Sequence, residues 1–149
     1  SRQDLPTLDR KKFAIPDGLR FGAYILSDAD DGKPDLILIA TGSEVSLILS
    51  AQQKLQEAGI AARVVSMPSW ELFEKQPREY KEKVFPKQLR KRLAVEAGAV
   101  LGWEKYITDD GDIIGMHTFG KSAPAEDLFK EYGFTTENVV AKAKALLAR

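Results

Sequence analysis

The chain has 149 residues, a length that suits one domain of ordinary size. It carries 22 Lys and Arg residues against 22 Asp and Glu residues, so its formal net charge is zero. Dedicated nucleic-acid and membrane-surface binders draw on an excess of basic residues, and the balanced charge disfavours both classes. With no cysteine and one histidine, thiolate catalysis, disulfides, cysteine-held zinc and His-rich metal sites are excluded.

The start of the chain indicates a piece of a longer protein. The first residue is Ser1, and the segment that follows has neither tag nor signal-peptide character, so we expect a processed or excised fragment. No apolar run approaches the roughly 20 residues of a membrane span, and a cytoplasmic protein is therefore expected. Residues 1–19 hold two prolines and no sustained period, which predicts an interdomain linker or arm before a domain at 20–149.

Two apolar segments in the first third of the chain predict strands. Residues 22–27 form the first, and the continuously apolar run 36–40 is typical of a strand buried on both faces. The short turn-rich segment between them predicts an antiparallel pair. Its acidic residues do not make a calcium loop, because Gly32 stands where that loop needs an acid, and a hairpin turn is the preferred interpretation.

A helix is predicted directly after the second strand. Thr41 and Glu44 have the spacing of a capping box, in which each side chain satisfies the other residue's backbone N–H. An apolar stripe at steps of three and four residues follows, and Gly59 ends the helix. Another strand at 62–67 completes a βαβ unit, for which a parallel crossover is expected.

The alternation of helices and strands continues to the end of the chain. We predict helical material at 69–84, interrupted by Pro77, and then strands at 93–97 and 112–116 with a helix at 101–107 between them. A helix at 124–133 and a final helix capped by Thr135 complete the chain. Alternating elements of this kind form a three-layer αβα sandwich, an α/β domain around a mostly parallel sheet.

Ligands of open α/β sheets bind outside the carboxyl ends of the strands, at a switch in strand order. Residues 41–43, 68–69, 96–98 and 117–118 would gather there. Thr41, Gly42 and Ser43 at a helix N-terminus could hold a small anion through backbone N–H groups. Because the dinucleotide and P-loop patterns are absent, a helix cap without a ligand is the favoured interpretation of this segment.

Three further features have a functional and a structural interpretation. Glu96, at the end of an apolar strand, is either a tuned acid or base or a carboxylate paired for structure, and we favour the second. His117 has no second histidine and no serine nucleophile to activate, so a loop histidine is expected. The basic segment 81–92 is a partner or anion patch, or, as favoured here, a solvated helix face.

Several stretches spread over nearly the whole chain combine into one pattern. They include SRQDLP at 1–6, IATGSEV at 39–45, RVVSMPS at 63–69, AVEAG at 94–98, TFGKSAPA at 118–125, YGFT at 132–135 and NVV at 138–140. Each is weak alone, but in this order they resemble the C-terminal domain of the transketolase family. The resemblance implies a mixed five-stranded sheet with one antiparallel strand.

The same resemblance implies a function for the longer parent protein. Transketolases are homodimers of the pentose phosphate pathway that transfer a two-carbon ketol unit between sugar phosphates. Thiamine diphosphate and a divalent cation, magnesium or calcium, are bound by the two preceding domains across the dimer interface. The family's catalytic and cofactor-binding residues have no counterpart here. The domain is therefore expected to support packing and dimer assembly and to be inactive alone.

One functional residue of the family matches a position in this chain. The arginine of a Ser-Arg-Gln motif between the middle and last domains binds the sugar phosphate, and Arg2 matches it. A guanidinium suits this role, because it can hold phosphate oxygens with two parallel hydrogen bonds. Two alternatives stay open: a stand-alone small-anion-binding or regulatory module, and one subunit of a split transketolase.

Overall fold

The computed structural model describes residues 6–9, 13, 16–116 and 125–149. Its strands are β1 (Tyr24–Ser27), β2 (Leu36–Ala40), β3 (Ala62–Ser66), β4 (Arg92–Ala99) and β5 (Asp112–Met116). Its helices are α1 (Glu44–Glu57), α2 (Trp70–Glu74), α3 (Arg78–Val84), α4 (Glu104–Ile107), α5 (Ala125–Glu131) and α6 (Thr136–Leu147), and a 3-10 helix spans Pro16–Phe21.

The strands form one five-stranded sheet in the order β1-β3-β2-β4-β5. Strand β1 is antiparallel to β3, and the other neighbouring pairs are parallel. The predicted parallel unit of β2, α1 and β3 is confirmed, as is the mixed sheet with a single antiparallel strand.

The predicted pairing of the first two strands is wrong. Strand β3 lies between them, so that Tyr24 of β1 faces Ser66 of β3. Residues 28–35 easily cross the roughly 10 Å that separates next-nearest strands. The turn is tied to β3 by Arg63, whose Nε and Nη2 atoms each donate to the Asp28 carboxylate at 2.9 Å. Asp28 therefore begins a crossing to a non-adjacent strand and not a hairpin.

The sheet buries an apolar cluster on each face. Leu36, Leu38 and Ala40 of β2 contribute to the cluster beneath α1 and α6. Ile37 and Ile39 contribute to the opposite cluster, which includes side chains of α2, α3 and α4. All five β2 residues are fully buried, so the continuous apolar run is explained by a strand covered on both sides. The three-layer αβα prediction is confirmed.

Two local predictions about helices are also confirmed. The helical segment after β3 is divided at Pro77, which lies between α2 and α3 and lacks the N–H that would continue a helix. Thr135 caps α6, with its hydroxyl oxygen accepting a hydrogen bond from the Asn138 N–H at 3.2 Å. The boundary between arm and domain stays a prediction, and the arm residues Leu8 and Phe13 pack against the cluster beneath α1.

Candidate functional site

The strand order creates a switch point between β2 and β4. From β2 the chain crosses to β3 on one side, and from β3 it returns to β4 on the other side of β2. The carboxyl end of β2 lies beside β4, with Ala40 next to Val95, and β4 continues along β5 to Ala99. Residues 41–43 and Glu96 directly follow these two positions. The structure therefore brings both predicted segments to the edge where ligands of open α/β sheets bind.

The start of α1 differs from the predicted capping box of Thr41 and Glu44. Ser43 occupies the N-cap position with helical angles, φ −67° and ψ −30°, and makes no side-chain hydrogen bond to the backbone. Its hydroxyl instead donates to the Glu44 carboxylate at 2.7 Å. With the Glu44 side chain engaged there, the reciprocal bonding of a capping box is absent and that prediction is wrong. Gly42 adopts φ +57°, a left-handed conformation that favours glycine.

Two glutamates set the electrostatics of the switch point. Glu44 is buried, with 6% of its surface exposed, and Glu96 is half-buried. Burial raises the pKa of Glu96, and the nearby Glu44 carboxylate raises it further. Negative charge is therefore concentrated where the small-anion site of Thr41, Gly42 and Ser43 is predicted. The anion site stays a prediction, and it has to overcome this repulsion.

Glu44 is the residue of this site that sequence reasoning misassigned. Its spacing from Thr41 suggested a cap, but Glu44 is buried and its charge raises the pKa of Glu96. A signal was present in the sequence, since an acid in the first turn of a helix after a buried strand is placed at the carboxyl edge of the sheet. Arg2 and His117 lie outside the described residues, as does Thr118.

The basic segment 81–92 does not form one solvated face. Lys81 pairs with Glu74 at 3.5 Å, and Arg90 pairs with Asp110. Arg92 is buried and donates to three backbone carbonyls. The favoured interpretation as a solvated helix face is therefore wrong for Arg92, which lies in β4 and serves the interior.

The described part of the chain holds neither a cluster of metal ligands nor a membrane-spanning helix. Among residues 6–9, 13, 16–116 and 125–149, no group of three or more His, Asp or Glu side chains could hold a metal ion. None of the helices in these ranges has the length and apolar character needed to cross a membrane.

The sheet order, the helix layers and the switch point between β2 and β4 define an α/β domain with a mixed sheet. The family model of the transketolase-like C-terminal domain matches residues 22–135. The chain therefore belongs to the transketolase family, and the resemblance identified from its sequence is confirmed.

Curated relatives extend over essentially the whole chain. It is 49% identical to the transketolase of Geobacillus stearothermophilus over 149 residues, which are 100% of this chain and 22% of the relative. It is 53% identical to transketolase 1 of Escherichia coli K12 over 147 residues, 99% of this chain and 22% of the relative. The chain thus spans about a fifth of the length of these relatives.

Solved structures show the same fold. The transketolase of Pichia stipitis in complex with sedoheptulose-7-phosphate superposes with a TM-score of 0.87 at 38% identity, over 99% of this chain and 20% of that one. The Leishmania mexicana transketolase gives 0.81 at 42% identity, over 89% and 19%. A split-gene transketolase described as an inactive β4 tetramer gives 0.71 at 22% identity, over 99% and 48%, and shares the fold.

Proposed function

We propose that this chain is the C-terminal domain of a transketolase whose complete protein transfers a two-carbon ketol unit between sugar phosphates. One observation carries the proposal: residues 22–135 match the C-terminal domain model of that family. The chain spans 22% of a curated transketolase with which it shares 49% identity. The remaining length of such a relative has room for domains that perform the chemistry.

The proposed division of labour places the cofactor outside this domain. Thiamine diphosphate supplies carbanion stabilisation when bound, and its diphosphate requires a divalent cation or basic groups. The described residues do not fit that need, because their His, Asp and Glu side chains form no group of three or more that could hold a metal ion. In the proposal, the preceding domains hold thiamine diphosphate and magnesium or calcium. This chain contributes packing and dimer assembly.

Three exposed leucines support the packing role. They are Leu19, Leu72 and Leu101, whose exposed fractions are 47%, 40% and 82%. The first two belong to the 3-10 helix and α2, which contact each other. Leu101 precedes Gly102, which abuts the Trp70 ring at the start of α2. Exposed apolar side chains on contacting segments suit a surface covered by a neighbouring domain or subunit.

The activity of the isolated chain tests the proposal. We expect the 149-residue protein, with thiamine diphosphate and magnesium, to transfer no ketol unit from a ketose phosphate to an aldose phosphate. A full-length relative assayed in parallel is the positive control, and circular dichroism verifies that the chain is folded. Ketol transfer by the folded chain contradicts the proposal.

Arg2 has a proposed role only in the complete protein, where it binds the sugar phosphate. Removal of a charge-assisted contact of this kind weakens binding by about tenfold or more. We therefore expect Arg2→Ala in the full-length enzyme to raise KM for sugar phosphates by at least about tenfold, with a smaller change in kcat. Unchanged KM values contradict this role.

A split enzyme is the second candidate, supported by the split-gene transketolase that shares this fold. In that case the chain is a natural subunit completed by another polypeptide. The intact mass of the native gene product distinguishes the candidates. A product several times longer supports the C-terminal domain, whereas a product of about 16.5 kDa supports the split enzyme or a stand-alone small-anion-binding or regulatory module.

A further inference from the structure

The arm that precedes the sheet is attached to the domain beside α1. Leu8 and Phe13 are half-buried and pack against the apolar cluster beneath α1. Together with Leu49 of α1 and Ile60 before β3, they line one cavity on that flank of the domain. Holding a segment in one place costs backbone entropy, and the burial of apolar side chains offsets that cost. Leu8 and Phe13 therefore anchor the arm.

A backbone hydrogen bond links the two anchor residues, Leu8 and Phe13. The Phe13 N–H donates to the carbonyl of Asp9, the residue directly after Leu8, at 2.9 Å. This bond limits how far apart the two anchor residues can lie. They therefore act as one attachment, and freeing the arm requires the loss of both side chains.

Arg2, the residue proposed to bind the sugar phosphate, is close to this attachment in the sequence. It precedes Leu8 by six positions and Pro16, the start of the 3-10 helix, by 14 positions. Six residues of fully extended chain span at most about 22 Å, whereas 14 residues span about 50 Å. The attachment therefore limits how far the Arg2 backbone can lie from the flank of α1.

We propose that Leu8 and Phe13 are positioning residues for Arg2, which keep its guanidinium near the phosphate group of the bound sugar. The inference rests on the role proposed above for Arg2 in the complete protein. The local concentration of a tethered group falls with about the −3/2 power of the tether length. Lengthening the tether from six to 14 residues therefore lowers the local concentration of the guanidinium by about three- to fourfold.

The proposal specifies which kinetic constant changes. In its proposed role Arg2 contacts the phosphate group and not the reacting carbon. A less well positioned guanidinium therefore weakens the binding of phosphorylated sugars and leaves the chemical step at its rate. A sugar without a phosphate group offers Arg2 no partner, so its reaction should not depend on the anchor residues.

The double variant Leu8→Ala/Phe13→Ala of the full-length enzyme tests the proposal. Ribose 5-phosphate and ribose serve as acceptors, with a ketose phosphate donor at saturating concentration. We expect KM for ribose 5-phosphate to rise about two- to fourfold, with kcat changed by less than about twofold. The value of kcat/KM for ribose should be unchanged. An unchanged KM for ribose 5-phosphate, or equal losses with both acceptors, overturns the proposal.

Leu147→Ala is the matched control for a loss of packing. Leu147 is a half-buried leucine of α6 that packs against the same apolar cluster and is outside the described lining of the cavity. This variant should melt at a lower temperature, as Leu8→Ala does, and keep its KM for ribose 5-phosphate. Phe13→Leu retains an apolar anchor and should also keep the wild-type KM. A rise in Leu147→Ala that equals the rise in the double variant contradicts a positioning role.

Arg2→Ala separates this inference from the proposed function. If the anchor residues act through Arg2, their loss adds nothing once Arg2 is removed, so the triple variant should have the KM of Arg2→Ala alone. A further rise in the triple variant contradicts the inference. If Arg2→Ala raises KM and the double variant does not, the inference fails alone. If Arg2→Ala leaves KM unchanged, the proposed role of Arg2 fails and the inference fails with it.

Discussion

Arg92 stabilises the interior by donating hydrogen bonds to three backbone carbonyls. Its Nε, Nη1 and Nη2 atoms donate to the carbonyls of Leu89, Tyr106 and Pro86 at 2.9, 3.0 and 2.8 Å. The guanidinium also lies 5.3 Å from the centre of the Phe85 ring. Burial lowers the pKa of Arg92, but an arginine remains charged at neutral pH. The cation is therefore held by carbonyl dipoles and an aromatic face.

We predict that Arg92→Met lowers the free energy of unfolding by about 3 kcal/mol, because three hydrogen bonds to backbone carbonyls are lost at roughly 1 kcal/mol each. Arg92→Lys should also be destabilised, but by less than Arg92→Met, since an ammonium group keeps the charge but cannot reproduce the planar arrangement of guanidinium donors. Urea denaturation measures both. Arg90→Met is the control: Arg90 is exposed and pairs with Asp110 at the surface, so little change is expected. Equal effects at both arginines contradict the assignment.

Glu96 makes stability depend on pH. Burial and the Glu44 carboxylate raise its pKa in the folded state, so the folded protein keeps this proton where the unfolded chain releases it. The stabilisation is fully present below the unfolded pKa and is lost as the pH rises through the folded pKa. At neutral pH, where a glutamate of the unfolded chain is ionised, the raised pKa of Glu96 therefore opposes folding.

Glu96→Gln removes this penalty because the amide stays neutral. We predict a gain of about 0.5 kcal/mol in the free energy of unfolding at pH 7, a value kept small because water screens a half-buried group. The gain should vanish near pH 4, about where a free glutamate protonates. Denaturation curves at the two pH values provide the test, with the exposed Glu57→Gln as control. A gain that is the same at both pH values shows that charge is not its cause.

At the scale of elements, the two longest helices begin differently. Thr135 accepts a hydrogen bond from the Asn138 N–H, whereas Ser43 at the start of α1 makes no such bond. We predict that Thr135→Ala costs about 1 kcal/mol of stability, while Ser43→Ala costs clearly less. Thermal unfolding of both variants provides the measurement. A larger effect at Ser43 indicates that its bond to Glu44 is the more important one.

Much of the element pattern follows from local chemistry. The apolar run of β2, the break at Pro77 and the cap at Thr135 each have a short-range cause, and each was predicted. The partner of β1 was not predicted correctly. A short turn shows that two strands are close in sequence, but it does not determine which strand pairs with β1 in the sheet. That choice depends on β3, whose Arg63 is bonded to Asp28 across the sheet.

The position of the candidate site could be predicted from the sequence, but its electrostatic character could not. Strand endings put residues 41–43 and Glu96 at the same edge, as the structure shows. The burial of Glu44 depends on how α1 is rotated about its axis, which the capping pattern misrepresented. A cavity lined by β1, the turn after it and α1 was not predicted, because these segments come together only in the folded sheet.

For the whole molecule, we expect the three exposed leucines to promote self-association. If a neighbouring domain normally covers Leu19, Leu72 and Leu101, the isolated chain exposes them to water. We predict concentration-dependent self-association in sedimentation velocity, reduced in Leu101→Ser. Leu101 is the most exposed of the three, so this change should preserve the melting temperature. A strictly monomeric wild-type chain at high concentration is the contrary result.

The position of β3 between β1 and β2 also orders events in time. Strand β1 pairs with β3, and 34 residues separate Ser27 from Ala62. During synthesis, β1 is therefore made first and has no pairing partner until β3 has also been made. The unit of β2, α1 and β3 can assemble before it. Both β1 and β2 need β3, but β1 is held from one side only, so we expect its amides to gain protection from hydrogen exchange after those of β2.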